Sequence, residues 1–154
     1  MAGTTVASDW VEMGAILAPV DIADPSMDVL GRACQLARGL GAPLTLLYVF
    51  TLPTYAYGEG TVMTLGLSRR IESAAHGALE ELRTALACEG VVVDASVAQG
   101  GHPAETIARI ASEGRCRMIV MATSDRTTAG HDFLGRVTDR VLRLAPCPVL
   151  TMRR

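Results

Sequence analysis

The order of apolar segments is the feature that most constrains the fold of this chain. Short apolar runs that suit buried strands lie at 14–20, 43–50, 91–98, 117–123 and 145–152. Between them, apolar residues recur at helical spacing over 27–40, 71–90, 103–114 and 135–144. Strands that alternate with helices in this way are joined by right-handed crossovers, which produce a parallel sheet covered on both faces. The sequence therefore predicts an α/β fold, and no internal repeat is visible.

Length and composition limit the number of domains and the class of partner. A chain of 154 residues is long enough for one domain with a sizeable core. Residues 1–12 lack periodicity and are predicted to be a flexible tail, so the domain is expected to span 13–154. The net charge of −2 argues against a nucleic-acid or anionic-membrane partner, although all 14 basic residues are arginine. The arginine-rich last thirty residues offer only Phe133 for base stacking, so they are predicted to form a solvated face.

The chain shows no pattern of a membrane protein or a secreted one. No apolar run approaches the ~18 residues of a membrane span. No basic residue precedes Arg32, so the first residues do not resemble a signal peptide. We therefore expect a cytoplasmic protein.

The cysteines and histidines do not form the spacings of metal sites. The four cysteines lie in separate segments without a C-x-x-C pair, and they are predicted to be isolated buried thiols: Cys34, Cys88, Cys116 and Cys147. The histidines, His76, His102 and His131, lack a cysteine or carboxylate partner at metal-ligand spacing, and the first two are expected at the surface. No metal is predicted.

Two predicted loops are considered as functional sites. Ser124, His131 and Asp132 share one short loop, whereas catalytic triads draw their residues from separated segments, so no catalytic residue is predicted. Residues 51–66 are predicted to be one long connection between the second strand and the second helix. A loop of this length is usually mobile or functional, and the sequence does not say whether it covers a pocket or carries a partner site.

Several separated segments resemble those of the universal stress protein family, in the same order. They are "ILAPVDIADPS" at the first strand, "QGGHPAETI" at the third helix, "MIVMAT" at the fourth strand and "LGRVTDRVLRLAPCPVLTM" at the end. The resemblance covers residues 14–152 apart from the 51–66 loop. It implies a Rossmann-like five-stranded parallel sheet in the order 3-2-1-4-5, with helices on both faces, which agrees with the strand and helix pattern.

The resemblance also implies a nucleotide site, which this sequence preserves only in part. Members that bind ATP carry G-x2-G-x9-G-[S/T] after the fourth strand, where glycines let the backbone approach phosphates. The four positions are here Ala122, Asp125, Gly135 and Arg136. A carboxylate ~5 Å from a phosphate, at an effective dielectric of about 20, costs about 3 kcal/mol. We therefore expect weak or absent ATP binding, with Arg136 either pairing with Asp125 or replacing a lost phosphate ligand.

The adenosine end of the implied site is better preserved. Asp21 follows the first strand where the family contacts adenine or ribose, although it equally suits a cap on the following turn. The residues that the resemblance places at the site are Pro19, Asp21, Val49, Ala122, Thr123, Asp125, Gly135, Arg136 and Val137. No cofactor is expected from the degenerate motif, and an adenine nucleotide, ATP or AMP, is the alternative that the resemblance leaves open.

The last strand is predicted to lie at an edge of the sheet. Pro146 and Pro148 precede it, and proline in a sheet is confined to edges and strand starts. Exposed edges are protected or paired with another chain. Because family members commonly dimerise through this strand, we expect a homodimer, with alternate residues on opposite faces of the strand: Val149 and Thr151 on one, Leu150 and Met152 on the other.

Two functions remain open from the sequence. The first is a non-catalytic homodimeric accessory protein of the stress response, which binds a protein partner and has a degenerate nucleotide pocket. The alternative is a sensor gated by AMP, ATP or a cyclic nucleotide, with Arg136 as the phosphate ligand. Slow ATP hydrolysis is a weaker third hypothesis. Phosphorylation, which occurs in the family, could fall on Ser124, Thr127 or Thr128.

Overall fold

The computed structural model describes residues 14–52, 61–123 and 135–153. The tail predicted at 1–12 and the loop from Ser124 to Asp132 lie outside these residues. Along the described chain the elements are β1 (Ile16–Pro19), α1 (Met27–Leu40), β2 (Leu44–Phe50), α2 (Thr61–Leu86), β3 (Val93–Gln99), α3 (Pro103–Glu113), β4 (Met118–Ala122), α4 (Arg136–Leu144) and β5 (Val149–Met152).

The strands of the described residues form one parallel sheet in the order β3-β2-β1-β4-β5. Ala18 of β1 is opposite Leu46 of β2, and Val120 of β4 is opposite Leu150 of β5. The fold class and strand order predicted from the sequence are confirmed. The chain runs outward from β1 through β2 to β3, crosses over, and then runs outward again from β4 to β5. The order therefore reverses between β1 and β4, in the middle of the sheet.

Alternation along the strands divides the core into two layers. Ile16, Leu44 and Leu46 point into the layer covered by α1 and α2, whereas Leu17 and Ile119 point into the layer covered by α3 and α4. These side chains are at most 1% exposed. Complete burial of one such side chain contributes about 1.5–3 kcal/mol relative to leaving it in water. The continuous apolar runs in the sequence follow from this burial on both faces.

The helix boundaries follow local sequence signals at most ends. α1 stops at Gly41, whose φ of 60° is a left-handed conformation that glycine adopts readily. Its N–H donates to carbonyl oxygens of the last turn, satisfying groups that would otherwise lack a partner. α3 begins at Pro103 in the first helical turn, as predicted.

The predicted connection at 51–66 was too long, because α2 already begins at Thr61. Leu65 and Leu67 in its early turns are 57% and 43% exposed, so neither anchors the helix on the core. The helix is anchored further along by Ala75 and Leu79, which are 1% and 0% exposed. Helix formation propagates cheaply once a turn is in place, so an early segment without a periodic pattern can still be helical.

The prediction of four isolated thiols was wrong for two of them. Cys34 on α1 and Cys88 after α2 form a disulfide, with their Cα atoms 5.8 Å apart although 54 residues separate them in sequence. Cys116 is a buried free thiol and Cys147 a half-buried one. Sequence spacing did not reveal the bridge, because it depends on α1 and α2 covering the same face of the sheet.

Candidate functional site

A cavity of about 440 Å³ opens at the carboxyl ends of β1, β2 and β4. This is the point at which the strand order reverses, where open α/β sheets bind ligands. Two helices close the opposite side with their first turns: Pro103 and Ile107 belong to α3, and Gly135 to Thr138 belong to α4. The fold thus brings five elements, distant in sequence, to one concave surface.

The walls contributed by the strands are mainly apolar. Leu47 and Val49 of β2 and Met121 of β4 line the cavity together with Pro19 and Val20 at the end of β1. Leu47 is fully buried and Met121 is 6% exposed, so packing holds both side chains in place. Tyr48 also borders the cavity and is half-buried. Such walls suit the flat, weakly polar face of an aromatic ring better than a fully hydrated ligand.

Asp21 shapes the turn after β1, which is one of the two roles that its position suggested. Its Oδ1 accepts a hydrogen bond of 3.0 Å from the N–H of Ala23, and its backbone oxygen accepts one of 3.2 Å from the N–H of Asp24. These bonds shape the turn between β1 and α1. The exposed carboxylate also lies at the rim of the cavity. The turn therefore holds an acceptor group at the ligand side of the sheet.

The first turn of α4 borders the cavity, and within the described residues its first N–H groups have no partner inside the helix. The first helical bond runs from the N–H of Asp139 to Gly135 O at 2.9 Å, and Gly135 makes no side-chain capping bond. Helix N-termini carry a partial positive charge and bind anions. The buried Thr138 hydroxyl donates to Ala122 O at 3.4 Å, which ties the helix start to the end of β4. An anion in the cavity would thus meet the positive end of α4.

Arg136 is the cationic side chain at this helix start. It lines the cavity, its side chain is exposed, and it forms no ion pair or hydrogen bond with another residue of the described chain. Asp125, its predicted partner, lies outside the described residues, so the pairing stays a prediction. A guanidinium at a helix N-terminus adds a bidentate donor to the backbone donors there.

A salt bridge joins the two helices that close the cavity. Arg140 of α4 contacts Glu105 of α3 at 2.5 Å, with both side chains about half exposed. This hydrogen bond from Arg140 is the main reason why the pKa of Glu105 lies below its ordinary value. Arg140 is held by this bridge and does not line the cavity, whereas Arg136, one turn earlier on the same helix, does. Because the pair is exposed, its contribution to stability is small.

The structure brings most of the predicted site residues together. Among the described ones, Pro19, Asp21, Val49, Ala122, Gly135, Arg136 and Val137 line the cavity. Thr123 does not; its N–H and hydroxyl both donate to Met152 O, at 2.8 and 3.3 Å, at the end of β5. The sequence did not single out Tyr48, Pro103 or Ile107. Pro103 marked a helix start, and the position of that start beside the strand ends could have suggested the site.

The two described histidines, His76 and His102, are not among the residues that line this cavity. His76 is exposed on α2 and His102 is exposed at the start of α3, as predicted. Across 14–52, 61–123 and 135–153, no group of three or more histidine, cysteine or acidic side chains is arranged to hold a metal ion. The same stretches contain no helix long and apolar enough to cross a membrane.

Comparison with known proteins identifies relatives of the whole domain. The model of the Universal stress protein family matches residues 13–153. A universal stress protein from Thermus aquaticus is 32% identical over 139 residues, which cover 90% of this chain and 97% of that protein. Universal stress protein UspA from Lactobacillus plantarum has a similar structure, with a TM-score of 0.75 and 24% identity over 92% of this chain and 98% of that one.

One of the structural neighbours holds a nucleotide. The universal stress protein from Archaeoglobus fulgidus, solved in complex with dAMP, has a TM-score of 0.56 and 23% identity. The match covers 90% of this chain and 96% of that one. At this identity the likeness concerns the fold alone.

Proposed function

The chain belongs to the universal stress protein family, and on that premise we propose that it is a non-catalytic regulatory protein that binds an adenine nucleotide with a single phosphate group. The ligand class is that of AMP or cyclic AMP. ATP binding is weak or absent. Ligand occupancy changes the surface that a homodimer offers to a protein partner.

The observation that carries this proposal is a formed apolar cavity together with Arg136 at its helix end, which has no partner among the described residues. The volume of about 440 Å³ lies in the range of small-molecule sites. Leu47, Val49 and Ile107 offer contacts for a base, and Asp21 offers an acceptor at the rim. Arg136 and the α4 amides offer donors for one phosphate.

A triphosphate fits this donor set less well than a monophosphate. Arg136 is the cationic side chain among the cavity residues of the described chain. Ala122 carries a methyl group where glycine allows the backbone to approach phosphates in ATP-binding relatives. One guanidinium and one helix terminus can neutralise one phosphate, whereas further phosphates would add charge without adding partners. A protein of the same fold, from Archaeoglobus fulgidus, was solved with the monophosphate dAMP, so this fold can accept a ligand of the proposed class.

Removing the Arg136 side chain should weaken the binding of the phosphate group and leave the contacts with the base in place. Arg136→Ala is expected to weaken AMP binding about 10- to 100-fold, because a charge-assisted hydrogen bond contributes about 1.5–3 kcal/mol. Adenosine binding should change less than about twofold, since adenosine lacks the phosphate that the charge contacts. Isothermal titration of nucleotide-stripped protein measures both affinities.

The matched control is Arg143→Ala, which removes an exposed arginine of the same helix that pairs with Asp139. It should leave AMP affinity unchanged. Tighter binding of ATP than of AMP would contradict the single-phosphate proposal. No saturable binding of any of these nucleotides at millimolar concentration would contradict ligand binding altogether and leave the dimeric accessory function alone. Phosphate release from ATP would contradict the non-catalytic assignment.

The homodimer is proposed to form through β5. This strand is at the end of the sheet, and its Leu150 is 38% exposed. Leu150 and Met152 lie on the face of β5 that continues the α1–α2 layer, whereas Val149 packs toward the α3–α4 layer. An edge strand with an exposed leucine favours pairing with the same strand of a second copy.

A charge on this strand should prevent the pairing. Leu150→Arg is expected to convert the dimer to a monomer, because two arginines would meet across a twofold axis in a partly desolvated interface. Sedimentation velocity measures the mass. Val92→Arg, at an exposed position before the opposite edge strand, is the control and should stay dimeric. A monomeric wild-type protein, or a Leu150→Arg variant that is still dimeric, would contradict the β5 interface.

A further inference from the structure

The disulfide lies away from the cavity and has no part in the proposed nucleotide site. Cys34 is on α1 with its side chain 5% exposed, inside the layer that α1 and α2 form on one face of the sheet. Cys88 follows the last residue of α2 by two positions and is half-buried. We propose that this pair is a reversible thiol-exchange site, and that low-molecular-weight thiols of the glutathione class form a mixed disulfide at Cys88.

The turn that carries Cys88 exposes one side of the bridge. Ala87, Glu89 and Gly90 around it are all exposed, and Val92 is 68% exposed. Ala87 and Gly90 have φ angles of 43° and 73°, so the chain turns tightly on both sides of the cysteine. Cys34, in contrast, is enclosed by the core. Cys88, although it also packs against the core, is thus more accessible to a nucleophile from solvent than Cys34.

The exchange follows from this asymmetry. The thiolate of a small thiol attacks Sγ of Cys88, the Cys34–Cys88 bond breaks, and its electron pair leaves on Sγ of Cys34, which takes a proton because its surroundings are apolar. A second small thiolate then attacks the outer sulfur of the mixed disulfide and releases the Cys88 thiolate. Two small thiols are oxidised to one small disulfide, and the protein disulfide is reduced to two thiols.

The other two cysteines provide an internal contrast. Cys116 and Cys147 lie in the opposite layer, against α3 and α4. Burial raises the pKa of both thiols, and Cys147 adds to the shift at Cys116. Neutral buried thiols react slowly, because the thiolate is the nucleophile. Modification should therefore be selective for the bridged pair.

Opening the bridge releases a constraint on a large part of the fold. The bridge encloses residues 34–88, including β2 with its cavity walls and all of α2. Without it, the turn is held to α1 by the hydrogen bond from Arg38 Nε to Glu89 O at 2.9 Å and by side-chain packing. Disulfides that persist require an oxidising compartment, whereas in a reducing one they are usually transient and redox-sensing. Whether the Cys34–Cys88 pair is oxidised or reduced thus depends on the ratio of reduced to oxidised small thiols around the protein.

Alkylation with mass mapping tests the site on the full chain. In protein purified without reductant, iodoacetamide under native conditions should leave Cys34 and Cys88 unmodified. Incubation with millimolar reduced glutathione should produce a glutathione adduct on Cys88 and a free Cys34 thiol that iodoacetamide alkylates once the protein is unfolded. The melting temperature should fall by about 10 °C on full reduction and recover on reoxidation, because a bridge of this span constrains the unfolded chain.

Two single-cysteine variants test which of the two cysteines reacts with glutathione. Cys34→Ala exposed to oxidised glutathione should accumulate the adduct on Cys88, since the partner that would displace it is missing. Cys88→Ala should remain unmodified at Cys34. The proposal is overturned if Cys34 and Cys88 alkylate fully without reductant, if millimolar glutathione leaves the bridge intact, if the adduct lies on Cys34, Cys116 or Cys147, or if reduction leaves the melting temperature unchanged. None of these outcomes depends on nucleotide binding.

Discussion

Replacing Leu79 with alanine is expected to lower the free energy of unfolding by about 3 kcal/mol, within the range of about 2–5 kcal/mol for buried leucines. Leu79 is 0% exposed and lies in the core between α2 and the sheet. Along the part of α2 whose side chains are described, Ala75 and Leu79 are the buried residues, so this leucine is the main anchor of the helix. Its loss removes apolar burial and leaves a cavity. Urea or guanidinium unfolding at equilibrium measures the difference.

The same helix supplies the control for this substitution. Leu65→Ala makes the same chemical change at a side chain that is 57% exposed. Intrinsic helix propensity changes equally in both variants, so their difference reports packing. We expect the Leu65 variant to stay within about 0.5 kcal/mol of the wild type. Equal losses at Leu79 and Leu65 would mean that α2 is not packed on the sheet through Leu79.

Gly100→Ala is expected to destabilise the fold by about 1–3 kcal/mol, the usual cost of forcing a group into a packed site. A Cβ at Gly100 would overlap Thr106 Oγ1 and lie 3.0 Å from Thr106 Cβ. Neither side can move freely: the N–H of Gly100 donates to Phe50 O at 3.0 Å, and the 6% exposed Thr106 donates to His102 O at 3.1 Å. The first turn of α3 would have to shift, and this turn closes the cavity. Thermal unfolding measures the loss, and AMP titration measures the effect on the site.

The neighbouring glycine provides a matched control. A Cβ at Gly101 would meet nothing within 4 Å, so Gly101→Ala should be close to neutral. Thr106→Ala removes the overlapping hydroxyl, and Gly100→Ala should cost at least about 1 kcal/mol less in that background. If Gly100→Ala and Gly101→Ala have equal effects, or if Thr106→Ala gives no relief, the close approach of these two residues is not what restricts position 100.

The sequence allowed prediction of the candidate-site residues that lie at strand ends. It did not allow prediction of those whose position depends on how a helix is placed on the sheet. Pro19, Asp21, Val49 and Ala122 follow or end predicted strands, and the carboxyl ends of parallel strands meet at one edge. Ile107 is one apolar residue among several on α3, and nothing local distinguishes a residue that faces a cavity from one that faces the core. Its role depends on where α3 crosses the sheet.

The sequence by itself determined the α/β class, the strand order through its family resemblance, and the start of α3 at Pro103. These features follow from periodicity and from residues such as proline and glycine, which act on the backbone locally. Only the tertiary structure decided the Cys34–Cys88 bridge, the start of α2 at Thr61 and the position of Arg136 at the cavity. The bridge and the cavity depend on contacts between segments far apart in sequence. The early turns of α2 are helical because the helix is anchored further along the chain. The apolar residues of these turns show no helical spacing from which this could be predicted.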